Sequence, residues 1–218
     1  TTSGAVSFMK RFSHTTREVA QNGRRGALML SMDIAHPDVE AFTTIKQDLS
    51  KVTGANISIR LSDEFMSAVE KNKEYTHKWP INSDNPKFTK TVNARKLWDT
   101  IIKCAHNTAE PGLIYWDRQH WYSTSSVYPG YENTSTNPCS EIAMQGGDSC
   151  RLIALNLYKF VDNPFTPKAK FNMNKFYQAT YEGQRLMDDL VDLEIEAIER
   201  ILKKVDGDEE PESIKMVE

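Results

Sequence analysis

The sequence predicts an α/β protein whose strands are mainly parallel. Short apolar runs between turn residues, which are typical of buried strands, alternate along the chain with segments whose apolar residues recur at helical spacing. This alternation is the pattern of helices packed against a parallel sheet. The chain has 218 residues, of which 39% are hydrophobic and 26% charged, a globular composition. Four strands are predicted, which is too few to close a barrel.

Charge and cysteine content narrow the possible function classes. The formal net charge is −3, so the chain lacks the basic excess that a nucleic-acid or membrane-surface partner requires. No apolar run reaches the roughly 18 residues that span a bilayer, and the sequence shows no secretory signal. Three cysteines do not make a disulfide scaffold, which favours a cytoplasmic setting. Because the first residue is Thr1 and not Met, we expect a trimmed, processed or excised chain.

Hydrophobic periodicity and turn residues predict the elements of the first half. Phe8, Phe12 and Val19 lie at helical spacing before a turn-rich basic stretch. Pro37 suits the first turn of a helix, and Ser62 suits a helix N-cap. The predicted order is a helix over residues 4–20, a basic loop at 21–26, a strand at 27–32, a helix from Pro37, a strand at 56–61 and a helix after Ser62.

The same signals predict the second half. Residues 72–93 are polar and contain Pro80 and Pro86, so we expect a connecting loop there. Residues 117–138 are rich in Tyr, Ser, Thr and Asn without a clear period, which is typical of a functional loop. The other predicted elements are a helix around residues 97–105, strands at 113–116 and 152–157, a Pro-containing connection at 163–175, and a long amphipathic helix at 174–205. We divide the chain into an α/β part, residues 1–162, and a long helix with an acidic end, residues 163–218.

One motif concentrates reactive side chains. Asn137, Cys139 and Glu141 occupy alternate positions, which point to the same side of an extended segment. A carboxylate can accept a hydroxyl proton, an amide can orient a second hydroxyl, and a thiol can perform nucleophilic or one-electron chemistry. The alternative is a buried structural cysteine beside a solvated glutamate, which is common for an isolated Cys-x-Glu. The irregular loop before the motif and a second thiol, Cys150, after it favour function.

The motif and its surroundings resemble the large, catalytic subunit of ribonucleotide reductases. Residues 137–142 are similar to that family's Asn-x-Cys-x-Glu finger loop, and residues 149–157 are similar to the following strand, which bears a redox cysteine. Residues 3–9 and 23–27 are similar to the helix and loop beside the allosteric specificity site. Further similarities, in the family's order, lie at residues 54–59, 110–114 and 185–190. The resemblance implies a middle piece of a ten-stranded α/β barrel with a central finger loop that holds the radical cysteine.

The resemblance also implies a role for each residue of the motif. Cys139 would hold a transient thiyl radical that takes the 3′ hydrogen of the ribose, protected from water by burial at the loop tip. Glu141 would be the general base for the 3′ hydroxyl, and Asn137 would hold the sugar hydroxyls. Cys150 would be one of two thiols that deliver reducing equivalents and end as a disulfide. The products would be the 2′-deoxyribonucleotides needed for DNA synthesis.

A second candidate site is the basic loop formed by Gln21, Asn22, Gly23, Arg24, Arg25 and Gly26. Taken alone, this stretch is equally well interpreted as a solvated basic turn. The resemblance implies a flexible loop that joins the effector and substrate sites. Either arginine could touch a nucleotide base or phosphate, and the glycines would permit two loop states.

Cofactor and partners follow from the same resemblance. The motifs are most similar to the adenosylcobalamin-dependent, class II members, so adenosylcobalamin is the implied cofactor, and a metal-radical partner subunit is the alternative. The implied partners are a ribonucleotide substrate, a dNTP or ATP effector, a thioredoxin-like or other dithiol reductant, the remaining parts of the reductase chain and a second copy in a homodimer. The family's first redox cysteine has no counterpart here, so we expect the isolated chain to be inactive.

Two other function classes stay open at this stage. A non-catalytic nucleotide-binding or assembly piece of a split reductase would not need the complete motif and Cys150. A thiol hydrolase using Cys139 would need a histidine base, and of the five histidines only His120 lies in the loop before the motif.

Several further residues are assigned structural roles. Cys104 lies on the apolar face of a predicted helix. Asp188, Asp189 and Glu194 suit the solvated face of a long helix, so no bound metal is expected. The aromatic residues Tyr115, Trp116, Trp121 and Tyr122 could form a stacking platform, but we interpret them as core and loop packing.

Overall fold

The computed structural model describes residues 4–19 and 23–206, and the chain divides into two compact units that adjoin in sequence between Cys150 and Arg151. The boundary predicted between residues 162 and 163 divides the chain by function and stays a prediction. None of the helices in the described ranges is long and apolar enough to cross a membrane. The helices are α1 (Ala5–Glu18), α2 (Val39–Thr44), α3 (Asp63–Glu70), α4 (Ala94–Thr108), α5 (Trp116–Tyr122) and α6 (Met173–Val205). The strands are β1 (Met29–Asp33), β2 (Asn56–Leu61), β3 (Glu74–Trp79), β4 (Phe88–Asn93), β5 (Gly112–Tyr115), β6 (Ser135–Thr136), β7 (Ala143–Met144), β8 (Val161–Asp162) and β9 (Lys170–Phe171).

A parallel sheet in the order β1-β2-β5 is the centre of the first unit. Three of the four predicted strands are thereby confirmed, within one or two residues at their ends. Ser31 pairs with Ser58, which in turn pairs with Gly112, so these small residues share one face of the sheet. The sheet is open in the part of the chain that the structure describes. The α/β class is confirmed.

The hydrophobic core lies on the other face of the sheet. Strand β2 alternates as predicted, and Ile57, Ile59 and Leu61 are each no more than 1% exposed. Phe42 of α2 and Ile101 of α4 complete this core from the helical layer. Each fully buried side chain of this size contributes about 1.5–3 kcal/mol, so this layer holds the sheet in place.

Residues 72–93, predicted to be a connecting loop, instead form the antiparallel hairpin β3–β4. The prediction was wrong because the segment is mostly polar, although Tyr75 and His77 are buried at alternate positions. The two prolines lie between the strands and mark the turn. Backbone contacts dock the hairpin, since Lys78 N donates to Ala35 O at 2.8 Å. Burial raises the pKa of Tyr75 to about 12.

Helix α1 is confirmed within the predicted range 4–20, of which residue 20 lies outside the described residues. Gly4 is the N-cap, and the carboxylate of Asp38 accepts a hydrogen bond from Ala5 N at 2.9 Å. Farther along the helix, the buried Ser13 Oγ accepts a hydrogen bond from Gly54 N at 2.8 Å. This contact requires glycine, because a Cβ on Gly54 would lie 2.4 Å from Ser13 O.

Gly54→Ala should therefore lower the free energy of unfolding of the chain by about 1–3 kcal/mol, the usual effect of overpacking. The new methyl group would push α1 away from the start of β2. Gly146→Ala is the matched control, because nothing lies within 4 Å of a Cβ there. Urea unfolding of both variants measures the difference. Equal stability of the two variants would show that α1 does not pack against Gly54.

The strand predicted at residues 152–157 is wrong. Residues 151–156 have no regular structure, Leu152 is 80% exposed, and a 3-10 helix follows at Leu157–Phe160. An apolar run becomes a strand only where a neighbouring backbone can pair with it, and among the described residues of the second unit this run has no such partner. The second unit is organised instead around Phe160, Phe171 and Phe176, whose ring centroids lie 5.4–6.3 Å apart.

The long helix of the second unit is confirmed as α6, which has 33 residues. Asn172 caps it, since its Oδ1 accepts a hydrogen bond from Lys175 N at 3.1 Å. The apolar face of this amphipathic helix is largely exposed, including Leu186 and Leu193. Glu194 does not simply face solvent, because it forms an ion pair with Arg151.

Candidate functional site

The motif with Cys139 forms the end of a small hairpin. Strands β6 and β7 pair antiparallel, with Ser135 opposite Met144 and Thr136 opposite Ala143. The loop between them is residues 137–142. The segment 117–138, predicted to be irregular, thus begins within helix α5 and contains strand β6 near its end. The hairpin presents the reactive residues at its tip.

The tip itself is a tight turn and not the extended segment that was predicted. Ser140 N donates to Asn137 O at 2.9 Å, and Ser140 has a φ of 68°. The side chain of Asn137 holds the loop closed, since its Oδ1 accepts a hydrogen bond from Ile142 N at 3.1 Å. A turn reverses the chain, so the alternation argument for a shared side does not apply to Asn137, Cys139 and Glu141.

Contacts at the base of the hairpin fix it on the face of the sheet opposite the core. Ser135 Oγ lies 3.3 Å from Ser31 Oγ of β1. Arg60 of β2 donates from Nη1 to Thr134 O at 3.3 Å. These contacts join residues more than 70 positions apart in the sequence, so the sheet determines where the hairpin lies.

Cys139 lines a cavity of about 250 Å³ at the amino ends of the parallel strands. Asn56 and Ser58 of β2 and Gly112 of β5 form its floor, and Pro138, Cys139 and Ser140 form one wall. Gly112 is required here, because a Cβ would lie 2.6 Å from Ser58 Oγ. Hydroxyl and amide groups therefore face the thiol across a space of small-molecule size.

The thiol of Cys139 is exposed, as is Glu141, while Asn137 is half-buried. The resemblance implies a buried radical cysteine, and this implication does not hold for the described residues. The physical reason is the open sheet, which covers the hairpin from one side only. None of the described residues that line the cavity is a histidine, which argues against the thiol hydrolase.

An ion pair that the sequence did not reveal supports the floor of this cavity. Glu110 Oε1 accepts a hydrogen bond from Ile57 N at 2.9 Å, and its Oε2 pairs with Lys46 Nζ, which also donates to Ala55 O. The carboxylate thus ties the start of β2 to the start of β5. The sequence does place a carboxylate, Glu110, in a Glu-Pro-Gly turn just before a strand. It gives no sign that its partner is Lys46, which lies 64 positions away.

The basic loop borders a neighbouring cavity of about 290 Å³, which Arg25, Gly26 and Lys46 line. Asn56 and Glu110 line both cavities. Gly23 has a φ of +83°, and a Cβ on Gly26 would lie 2.8 Å from Thr16 O of α1. Each of these glycines therefore has a defined conformational or packing role. The two loop states stay a prediction.

The remaining members of the predicted loop site are placed as follows. Arg24 and Arg25 are both exposed, as an anion-binding role requires. Gln21 and Asn22 lie outside the described residues.

The other two cysteines differ in their surroundings. Cys150 is half-buried and has a free thiol, and the strand predicted to follow it does not form. Cys104 is 5% exposed in α4, and burial raises the pKa of its thiol, in keeping with the predicted structural role. Within residues 4–19 and 23–206, no three His, Cys, Asp or Glu side chains cluster in a way that could hold a metal ion.

Comparison with known proteins identifies the family. The sequence model described as "Ribonucleotide reductase, barrel domain" matches residues 1–208. A vitamin B12-dependent ribonucleoside-diphosphate reductase of Thermoplasma acidophilum is 34% identical over 92% of this chain and 25% of its own length. The reductase of the same name from Mycobacterium tuberculosis is 30% identical over 88% of this chain and 27% of its own length.

A third relative is named as a triphosphate reductase, whereas the first two are named as diphosphate reductases. It is a putative adenosylcobalamin-dependent ribonucleoside-triphosphate reductase of Mycobacterium phage D29, 36% identical over 66% of this chain and 18% of its own length. The described part of the chain is an α/β scaffold that holds a thiol at a hairpin tip, and the chain belongs to the ribonucleotide reductase barrel-domain family. It spans only 18–27% of the length of these three relatives.

Proposed function

We propose that this chain is a segment of the catalytic subunit of an adenosylcobalamin-dependent ribonucleotide reductase. The observation that supports the proposal most strongly is the thiol of Cys139 at a hairpin tip, facing a polar cavity at the amino ends of parallel strands. Family membership and the names of the relatives support the same chemistry. The three parallel strands would be part of a ten-stranded barrel, and the hairpin would be its finger loop.

In this proposal the sulfur of Cys139, as a thiyl radical, takes the 3′ hydrogen of the ribose, so an S–H bond forms and a C–H bond breaks. Glu141 accepts the proton of the 3′ hydroxyl. The 2′ hydroxyl takes a proton from one of two thiols and leaves as water, and C2′ gains a hydrogen from the other. The two thiols, one of them Cys150, thereby supply two electrons and become a disulfide, and Glu141 returns its proton to the 3′ oxygen. The hydrogen then returns from Cys139 to C3′, which regenerates the radical on sulfur.

Asn137 is proposed to hold the sugar hydroxyls, and its position limits how it can do so. Its Oδ1 already accepts the hydrogen bond from Ile142 N. The Nδ2 amide group would then donate to a hydroxyl oxygen, while Oδ1, which has a second lone pair, could accept from a hydroxyl. A single side chain would thus shape the loop and bind the substrate.

The proposed cofactor fits the described residues at one point, the exposed thiol. Adenosylcobalamin, when bound, supplies the radical that the thiol receives. Cys139 can release its hydrogen atom because its sulfur is accessible at the hairpin tip. A metal-radical partner subunit would require the same accessible thiol.

The proposal also names the chemical classes of the substrate, the effector and the partners. The substrate is a ribonucleoside di- or triphosphate, since relatives with both names match. A dNTP or ATP effector would act through Arg24 and Arg25. A thioredoxin-like or other dithiol would reduce the disulfide, and the rest of the subunit, as a homodimer in the cytoplasm, would complete the site.

The isolated chain should show no ribonucleotide reduction with adenosylcobalamin and a dithiol, because one of the two reducing thiols is missing. A complete reductase with this segment should reduce ribonucleotides only when adenosylcobalamin is added. The measurement is chromatographic detection of deoxyribonucleotides. Turnover by the isolated chain would contradict the segment proposal, and turnover of the complete enzyme without the cofactor would contradict its class.

A further inference from the structure

A third cavity in the first unit lies at the carboxyl ends of β2 and β5, whereas the Cys139 cavity lies at their amino ends. Its volume is about 470 Å³, within the range of small-molecule sites. It is formed mainly by α5 and the residues around it. Its lining residues are Asp63, Trp116, Asp117, His120, Trp121 and Asn133.

Two tryptophans provide the aromatic part of this cavity. Trp121 is 78% exposed, which corrects the sequence interpretation of this cluster as core and loop packing. Trp116 is half-buried, and the guanidinium carbon of Arg60 lies 4.9 Å from the centroid of its ring. The cation–π contact fixes Trp116, while Trp121 keeps most of its ring available to a planar ligand.

A buried amide without a partner is the second observation. Asn133 is 7% exposed, and its Oδ1 accepts a hydrogen bond from Ser125 Oγ at 3.1 Å. Its Nδ2 has no hydrogen-bond partner among the residues that the structure describes. Buried amide donors are nearly always paired, so this group indicates an acceptor that a ligand would supply.

Two carboxylates determine which ligands this cavity excludes. Asp117 is fixed beside Asp63, since its Oδ2 accepts a hydrogen bond from Asp63 N at 2.7 Å. Arg118 pairs with Asp63 at 3.4 Å, but both side chains are more than half exposed, which weakens the pair. The negative lining disfavours a phosphate and favours an uncharged ring with donor groups.

We propose that this cavity binds the nucleobase of a nucleoside, a planar heteroaromatic ring without an attached phosphate. The ring stacks on Trp121, with Trp116 as the second aromatic wall. The Nδ2 group of Asn133 donates to a ring nitrogen or carbonyl, and Asp117 accepts from an exocyclic amine. The site is separate from the substrate cavity proposed at Cys139.

Equilibrium dialysis of adenosine against the chain tests this proposal. Trp121→Ala should weaken adenosine binding by roughly 5-fold to 150-fold, which is the usual contribution of stacking one base. Asn133→Asp should also weaken it, since it replaces the donor with an acceptor of the same shape. Trp79→Ala is the matched control, because Trp79 is 48% exposed on strand β3 and does not line the cavity.

The competing outcomes are distinct. ADP should bind this site more weakly than adenosine, whereas the substrate cavity is expected to prefer the nucleotide. The proposal would be overturned if Trp121→Ala bound adenosine as tightly as the parent chain does. It would also be overturned if the parent chain bound adenosine no more tightly than ribose. Circular dichroism shows whether Asn133→Asp is folded. If it is not, the proposal is decided by Trp121→Ala, which replaces an exposed side chain. Neither result depends on the chemistry assigned to Cys139.

Discussion

Replacing Cys139 by serine should lower the turnover of a complete reductase that contains this segment by at least about 10³-fold, as loss of a covalent catalytic group does. The hydroxyl group of serine binds its hydrogen too strongly to exchange a hydrogen atom with a sugar C–H. Nucleotide affinity should be unchanged, because serine keeps the size and polarity of the cavity wall. Deoxyribonucleotide production and equilibrium dialysis of the nucleotide measure the two effects.

Cys104→Ser is the matched control for this prediction. Cys104 is a buried thiol in α4 and does not line the cavity of Cys139. Its replacement can lower stability, but it should leave turnover of the folded enzyme within a few-fold of the parent. Full turnover of the Cys139→Ser enzyme would refute the radical role and favour a non-catalytic binding or assembly function.

Glu110→Ala should lower the free energy of unfolding by about 3 kcal/mol, because it leaves a largely buried cation without its partner. The side chains of Lys46 and Glu110 are only 13% and 23% exposed. The substitution also removes the acceptor for Ile57 N at the start of β2. Urea unfolding followed by circular dichroism measures the loss.

Glu40→Ala provides the comparison. Glu40 pairs with Lys90 at 3.0 Å, but these side chains are 48% and 47% exposed. An exposed pair of this kind contributes at most about 1 kcal/mol. If Glu110→Ala and Glu40→Ala reduce stability equally, the Lys46–Glu110 pair does not hold the sheet edge together.

The parts of the fold that were predictable are those with local causes. The alternation of β2, the serine cap of α3 and the helical spacing of apolar residues in α6 are each set by residues only a few positions apart in sequence. The strand predicted at residues 152–157 was wrong because a strand needs a pairing partner elsewhere in the chain. The β3–β4 hairpin was missed because its buried positions are Tyr75 and His77, which sequence patterns do not mark as core.

The candidate site divides in the same way. The reactive residues were identifiable because Cys139 and Glu141 are close in sequence and their chemistry is explicit. Their geometry was not, since the left-handed Ser140 turns the loop where an extended segment was expected. The Lys46–Glu110 support and the cavity around Trp121 depend on contacts between distant residues, which no local pattern contains.

In the proposed mechanism, the sulfur of Cys139 removes the 3′ hydrogen of a ribonucleotide. The most direct measurement is the turnover of a complete reductase containing this segment with a substrate deuterated at C3′. We expect a primary kinetic isotope effect in the parent enzyme, and no reduction when Cys139 is replaced by serine. Reduction without any 3′ isotope effect, or an isotope effect that persists in the Cys139→Ser enzyme, would contradict this mechanism.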